Sequence, residues 1–211
     1  MKRCGILTAI LMCMILVLGG CGLVSGDSLL VQGAEDYKNG DYTSAIDKLE
    51  RAEKIGLKQQ KEGNLYSIMG NCYMELDLYE EALEYYTLAL ETDPSSVIYI
   101  VNLAIGYRQS GEFEKAVELY EQALEIDPDY AELNSSLGTL YIFLDDAQTA
   151  VYYFEKALEQ NPSLATTYGN AALAYAMLGD FETAERYLRQ SRALGYENAD
   201  AIEDRMDELR K

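Results

Sequence analysis

VIYIVNLAIGYRQSGEFEKAVELYEQALEIDPDY occupies residues 97–130, and a stretch of equal length and similar pattern, AELNSSLGTLYIFLDDAQTAVYYFEKALEQNPSL, follows directly at residues 131–164. Aligned without a gap, the two stretches share a small residue at position eight, Tyr at position eleven, Ala at position twenty and an aromatic residue at position twenty-four. Both contain an acid-Pro or amide-Pro pair just before their end. This fixed period of 34 residues predicts a stack of similar structural units.

The same positions recur on both sides, in blocks that begin at residues 63 and 165. Position eight is always small, position eleven is always Tyr and position twenty is always Ala: Gly70, Ala104, Gly138 and Ala172; Tyr73, Tyr107, Tyr141 and Tyr175; Ala82, Ala116, Ala150 and Ala184. An earlier block fits less well because three extra residues lie around 57–62. The sequence therefore predicts five blocks, at about residues 26–62, 63–96, 97–130, 131–164 and 165–198.

Each block has the pattern of two antiparallel helices. Apolar residues recur three or four positions apart, as in Val117, Tyr120 and Leu124, which is the helical period. A Gly-acid pair such as Gly111-Glu112 marks the turn, where Gly ends one helix and the acid starts the next. Small residues allow the two backbones to approach closely while the aromatic rings fill the space beside them.

This set of residues resembles the tetratricopeptide repeat over about four fifths of the chain. The resemblance implies an all-α fold, a right-handed α-solenoid of about five helix pairs over residues 29–198. After the last block, Ala199, Ile202, Met206 and Leu209 form one apolar stripe among charged residues, which predicts a C-terminal capping helix within residues 199–211. A four-block core with a frayed first block is the alternative.

The N-terminus has the features of an export signal and an anchor. Lys2 and Arg3 precede an apolar run over residues 6–18, which is shorter than the roughly 20 residues that span a bilayer. Leu18-Gly19-Gly20-Cys21 resembles the lipobox of bacterial lipoproteins. That resemblance implies a signal peptide over residues 1–20, acyl chains such as palmitate on Cys21, a spacer over residues 21–28, and a protein on the extracytoplasmic face of the cell membrane. An uncleaved single-span anchor is the alternative.

The composition argues against several classes of function. With 17 basic and 36 acidic residues the net charge is −19, which disfavours binding to nucleic acid. The chain has no His, which removes the usual catalytic triads and His-ligated metals. Cys72 lies beside a packing Tyr and is predicted to be a core thiol, and the many glutamates fall on second helices that face outward. We therefore expect no catalytic residue, no metal and no cofactor.

The remaining surface is the concave wall, which in this repeat is formed by the first helix of each block. Amides there can pair with the main chain of an extended peptide, while apolar neighbours take its side chains. The predicted peptide-binding residues are Asn64, Asn71, Asn102, Ile105, Arg108, Ser136, Thr139, Asn170 and Leu173. Repeats that hold the C-terminal carboxylate of heat-shock chaperones place several cations at matching positions. Here those positions carry no cation, so we expect no such chaperone tail as a partner.

These observations predict a membrane-anchored adaptor that binds a protein segment in its concave groove and catalyses no reaction. Two alternatives share the same architecture: a factor for the assembly of pili or outer-membrane proteins, and an organising subunit of an envelope enzyme complex. Because one fold serves many processes, the sequence leaves the partner unidentified.

Overall fold

The computed structural model describes residues 24–211. The predicted signal segment and Cys21 lie outside the described residues. Within them the chain is entirely helical, without a strand, and forms eleven α-helices. In chain order these are α1 (Gly26–Lys38), α2 (Tyr42–Ile55), α3 (Glu62–Glu75), α4 (Tyr79–Thr92), α5 (Val97–Gln109), α6 (Phe113–Ile126), α7 (Ala131–Phe143), α8 (Ala147–Gln160), α9 (Ala165–Met177), α10 (Phe181–Ala193) and α11 (Ala199–Leu209).

The helices pack as five consecutive pairs, and α11 follows as a cap. Each odd-numbered helix from α1 to α9 packs along the even-numbered helix that follows it, and each even-numbered helix contacts the first helix of the next pair. The last helix contacts both α9 and α10, against which Met206 is buried. The predicted α-solenoid of five helix pairs with a C-terminal cap is confirmed. We call α1, α3, α5, α7 and α9 the first helices and their partners the second helices.

The first helix begins earlier than the sequence predicts. The sequence predicts a spacer over residues 21–28, whereas α1 starts at Gly26. The reason is local, because the Ser25 side chain accepts a hydrogen bond from the Ser28 backbone amide and so caps the helix. The last three residues of the predicted spacer therefore belong to α1.

The turn inside every pair has the same backbone shape. Position fifteen of each repeat has a positive φ, which favours Gly. Three repeats have Gly there, including Gly111 with a φ of 82°, whereas Asp77 and Asp145 hold the same place with φ values of 58° and 59°. Asp tolerates this conformation better than most residues. The turn is thus conserved in geometry across the repeats even where its glycine is absent.

Close contact between a small residue and an aromatic ring joins the two helices of a pair. A Cβ atom built on Gly138 would lie 2.6 Å from the Phe154 ring, and one on Gly70 would lie 2.5 Å from the Tyr86 ring. Phe154 and Tyr86 are themselves buried, as are the alanines at position twenty. The predicted role of the small positions, to let the backbones approach, is confirmed by these contacts.

Tyrosines stack within a repeat and donate hydrogen bonds to glutamates of the preceding repeat. Tyr141 and Tyr153 stack with their ring centroids 5.5 Å apart, and the Tyr153 hydroxyl donates to Glu121 of the preceding repeat at 3.3 Å. In the next repeat the Tyr175 hydroxyl donates to Glu155 in the same way. Burial together with the nearby Glu121 charge raises the pKa of Tyr153 to about 12. These tyrosines therefore pack and donate hydrogen bonds, as the packing interpretation predicts.

Asp27 fixes the loop that contains the three extra residues. Its carboxylate accepts hydrogen bonds from the backbone amides of Lys58, Gln59 and Gln60, the shortest being 2.9 Å. Those bonds, with the amide of Gln60 contributing most, lower the pKa of Asp27. The first turn of α1 thus orients the segment that leads into α3, and this explains how the irregular first block stays in the stack.

Replacing Gly138 with Ala should destabilise the protein through contact with Phe154. Overpacking of this kind typically lowers the free energy of unfolding by about 1–3 kcal/mol, and urea unfolding measures the loss. The fifth repeat already combines Ala172 with Leu188 in one cluster. Gly138→Ala with Phe154→Leu should therefore lose less than the two single variants together; strictly additive losses would show that this contact is not the cause.

Protonation of Asp27 at low pH should weaken its hydrogen bonds to the three loop amides in a single transition. Because its pKa is lowered by folding, its stabilising contribution is present above the ordinary value of 3.8 and is lost as pH falls through the lower folded value. In NMR spectra recorded from pH 6 down to pH 2, the amide protons of residues 58–60 should shift with one midpoint below 3.8. Asp27→Asn should abolish that shift, whereas the Asp146 titration, which acts on the Thr149 amide, should persist as a control.

Candidate functional site

The first helices form one continuous wall, and its N-terminal half contains a cavity of about 530 Å³. We call this the groove cavity. Its apolar lining comes from α1, α3 and α5, and polar atoms lie at its edges. The lining includes Leu30, Val31, Ala34, Ile68 and Ile98 on the apolar side and Lys61, Asn64, Ser67 and Asp93 on the polar side.

Two apolar side chains in the groove cavity are unusually open to solvent. Val31 is 61% exposed and Ile98 is 69% exposed. The peptide-binding residues predicted from sequence include neither of them. The sequence does contain a signal for an exposed apolar residue on α5. Residues 97–101 are five consecutive apolar residues, and because a helix buries only part of its circumference, at least one of them must stay exposed. Exposed apolar side chains inside a concave wall are typical of a binding surface.

The predicted asparagines of the wall form hydrogen bonds between successive first helices. Asn102 Nδ2 on α5 donates to Ser67 Oγ on α3 at 2.7 Å, and the Tyr99 hydroxyl donates to Asn64 Oδ1 at 2.8 Å. Further along, Asn170 Nδ2 on α9 donates to Thr139 Oγ1 on α7 at 3.1 Å. These side chains therefore hold the repeats in register, and each retains a further polar group for a ligand.

The other predicted residues are distributed along the same wall. Asn71 lies near the end of α3, where its Oδ1 accepts from the Tyr86 hydroxyl at 2.7 Å. Ser136 lines a second cavity of about 360 Å³ between α7 and α9. Ile105 and Leu173 are half-buried on α5 and α9. The structure thus places all of these positions on first helices but brings only Asn64 into the groove cavity.

Arg108 lies in the last turn of α5 and differs from the other cations of the wall. Its Nε is buried and has no hydrogen-bond partner. It forms no ion pair within 4.0 Å with any carboxylate of residues 24–211. Burial raises the pKa of the neighbouring Tyr120 hydroxyl, and the positive charge of Arg108 partly offsets that rise. An ion pair with a nearby acid would give Arg108 a purely structural role. No such ion pair is present among the described residues.

The one cysteine among the described residues, Cys72, is buried and forms no disulfide. Burial raises the pKa of the Cys72 thiol to about 12, so the sulfur stays protonated near neutral pH. Among residues 24–211 no three His, Cys, Asp or Glu side chains gather into a metal-binding group. In the same part of the chain no helix is both long enough and apolar enough to cross a membrane. The glutamates of the second helices that were predicted to face outward, such as Glu84, Glu118 and Glu185, are all exposed.

Known structures share this architecture at low sequence identity. A crystal structure of MamA is 21% identical, covers 80% of this chain and 96% of its own, and superposes with a TM-score of 0.68. A tetratricopeptide repeat protein from Parabacteroides merdae is 24% identical, covers 87% of this chain and 72% of its own, with a TM-score of 0.75. BtubC from P. vanneervenii is 25% identical, covers 80% of this chain and 78% of its own, with a TM-score of 0.71.

Family models match the repeats directly. Tetratricopeptide repeat models match residues 63–96 and 129–195, and a TPR repeat model matches residues 106–142. Together these matches cover more than half of the chain; they span the second, fourth and fifth helix pairs and reach into the third. With the helix pairs, the turns and the small-to-aromatic contacts described above, they show that the chain belongs to the tetratricopeptide repeat family.

Proposed function

We propose that this protein is a lipid-anchored, non-catalytic adaptor that binds an extended segment of a partner protein in the groove of its first helices. The observation that carries the proposal is the groove cavity, where Val31 and Ile98 are left exposed on a wall that is otherwise well packed. Burying one such side chain contributes about 1.5–3 kcal/mol. Two of them at the rims of one cavity give a partner a defined place to insert an apolar side chain.

Polar groups around the groove cavity suit the main chain of a bound segment. Asn64 and Asn102 each use one side-chain atom for a bond between repeats, which leaves the Asn64 amide nitrogen and the Asn102 amide oxygen for a ligand. An extended peptide presents carbonyl and amide groups at regular intervals, so one donor and one acceptor on the wall match it. This arrangement favours an extended segment over a folded surface.

The groove cavity carries less charge than the outer face of the second helices. The glutamates of the second helices face outward, whereas the groove cavity is lined mainly by apolar and uncharged polar residues. Recognition in the groove therefore depends on shape and apolar contact more than on the net charge of −19. Binding driven by apolar contact should persist at high salt, where attraction between exposed charges is screened.

A photo-crosslinking residue in place of Ile98 should capture the partner in living cells. Ile98 is chosen over Asn102 because Asn102 also bonds Ser67, so its replacement would change the repeat packing. Ile126 is a matched control: it is also an exposed isoleucine, but it ends the second helix α6. Position 98 should give a discrete crosslinked product on a gel, and position 126 should give none.

The same pair of positions provides a loss-of-binding test. Ile98→Asp should weaken association with the captured protein by about tenfold or more, because about 1.5 kcal/mol of apolar burial is lost, and Ile126→Asp should leave it unchanged. Equal capture at both positions, or unchanged affinity of Ile98→Asp, would contradict binding in the groove.

The anchor is the second part of the proposal, and it is supported by the Leu18-Gly19-Gly20-Cys21 motif. Two acyl chains hold a protein stably on a bilayer, since each buried CH₂ contributes about 0.8 kcal/mol. Cys21→Ser should abolish labelling by a palmitate analogue and leave the precursor uncleaved on a gel. The matched control is Cys13→Ser within the apolar run, which should be processed normally. Normal processing and labelling of Cys21→Ser would refute the lipoprotein assignment.

A further inference from the structure

The junction between the first and second repeats differs in charge from the end of every later repeat. Three lysines and no acid occupy residues 54–61, between Glu53 and Glu62: Lys54, Lys58 and Lys61. This stretch includes the three extra residues that interrupt the regular period. The ends of the later repeats instead contain acids and no base, at residues 91–96, 125–130, 159–164 and 193–198.

The start of α1 lies against this lysine-rich stretch. A Cβ atom built on Gly26 would lie 2.2 Å from the carbonyl oxygen of Gly56. Val24, two residues before α1, is 49% exposed, and Ile55, the last residue of α2, is 55% exposed. We call Val24 together with residues 54–61 the basic edge. Exposed apolar side chains beside lysines are typical of surfaces that lie at the boundary between lipid and water.

Packing of the repeats does not account for the lysines of the basic edge. Lys58 and Lys61 are exposed and form no ion pair within 4.0 Å with any acid of residues 24–211. Lys54 pairs with Glu50 at 3.5 Å, but this pair is open to solvent, and such pairs contribute little to stability. The three lysines therefore keep their charge for a partner outside the chain.

The short connection to Cys21 limits how far the basic edge can lie from a membrane. Only residues 22–25 separate Cys21 from α1, which begins at Gly26. An extended chain advances at most about 3.6 Å per residue, so Gly26 lies within about 18 Å of Cys21. With acyl chains on Cys21 inserted in a bilayer, the first repeat therefore stays next to the lipid headgroups.

We infer that the basic edge lies on the headgroups of anionic phospholipids, an inference that rests on the proposed lipid anchor. Each lysine close to such a surface is attracted to it, and Val24 and Ile55 supply apolar contact with the boundary of the acyl chains. Residues 62–130 carry 15 acids and 2 bases, so the second and third repeats are repelled from the same surface. This repulsion is screened beyond about 10 Å, so it turns these repeats away from the membrane without lifting the basic edge.

Fluorescence quenching on lipid vesicles tests this on the full chain with its acyl groups. A fluorophore is attached to Ile55→Cys, and the vesicle lipids carry a nitroxide on the headgroup, which quenches only nearby fluorophores. Ile126→Cys is the matched control, because Ile126 is also an exposed isoleucine at the end of a second helix, but with acids beside it. Cys72 is buried and stays unlabelled.

The label at position 55 should be quenched more than the label at position 126 on vesicles of phosphatidylcholine with phosphatidylglycerol, and added salt should reduce the difference. Lys58→Glu should lower the equilibrium constant for docking by about tenfold, because repulsion replaces an attraction of similar size. Lys38→Glu is its control, since Lys38 is an exposed lysine in the last turn of α1, away from the basic edge. It should leave the quenching unchanged.

Equal quenching at positions 55 and 126 in an acylated chain would overturn the inference and leave the anchor intact. Equal quenching of position 55 on vesicles of phosphatidylcholine alone, or unchanged quenching in Lys58→Glu, would show that the tether alone sets the distance and would overturn the role of the lysines. A chain whose mass shows no acyl group would overturn the anchor itself, and the inference with it. The mass of the chain therefore distinguishes the two failures.

Discussion

The close approach of two helices, made possible by a residue with little or no side chain opposite an aromatic ring, is the contact on which this structure depends. Gly138 against Phe154 and Gly70 against Tyr86 show it most clearly, since neither glycine has space for a Cβ atom. The contact sets the distance within a pair. Because each pair then presents similar surfaces to its neighbours, the same geometry repeats along the chain and a superhelix results.

The inner wall is a consequence of that stacking. Second helices use their apolar stripe against the first helices and leave glutamates outside, so the first helices form the inner wall. Part of that wall is already used for bonds between repeats, as with Asn102 and Ser67. The surface that the repeats do not use for each other includes the groove cavity, where Val31 and Ile98 are exposed.

The sequence predicted the fold well because the fold depends on contacts inside one repeat. The small, aromatic and turn positions recur at a constant spacing, so a single chain displays them several times. The site was predicted less completely. The residues predicted to bind a peptide do lie on first helices, and their role in binding stays a prediction. The pairing of Asn170 with Thr139 was not predicted, because it joins residues 31 positions apart on different repeats. Such pairs depend on how the repeats are stacked, and no spacing within a block encodes that.

Two local details of the backbone are likewise not predictable from the repeat pattern. Asp77 and Asp145 adopt the left-handed turn that Gly occupies elsewhere, and the early start of α1 depends on the side chain of Ser25. Both features depend on individual hydrogen bonds and backbone angles. The repeat pattern gives only the type of side chain that is expected at each position. The extra loop held by Asp27 is a third case, because its three amide contacts connect residues more than thirty positions apart.

The joint between the third and fourth repeats has a mechanical consequence. Its outer edge is tied, since Tyr153 of α8 bonds Glu121 of α6 and Phe143 stacks on Phe113 with centroids 5.2 Å apart. Its inner edge, between α5 and α7, has no side-chain hydrogen bond in the described part of the chain. What resists bending at this joint is therefore apolar packing on the inside, where Ile100 and Leu137 belong to one buried cluster, and directed polar contact on the outside.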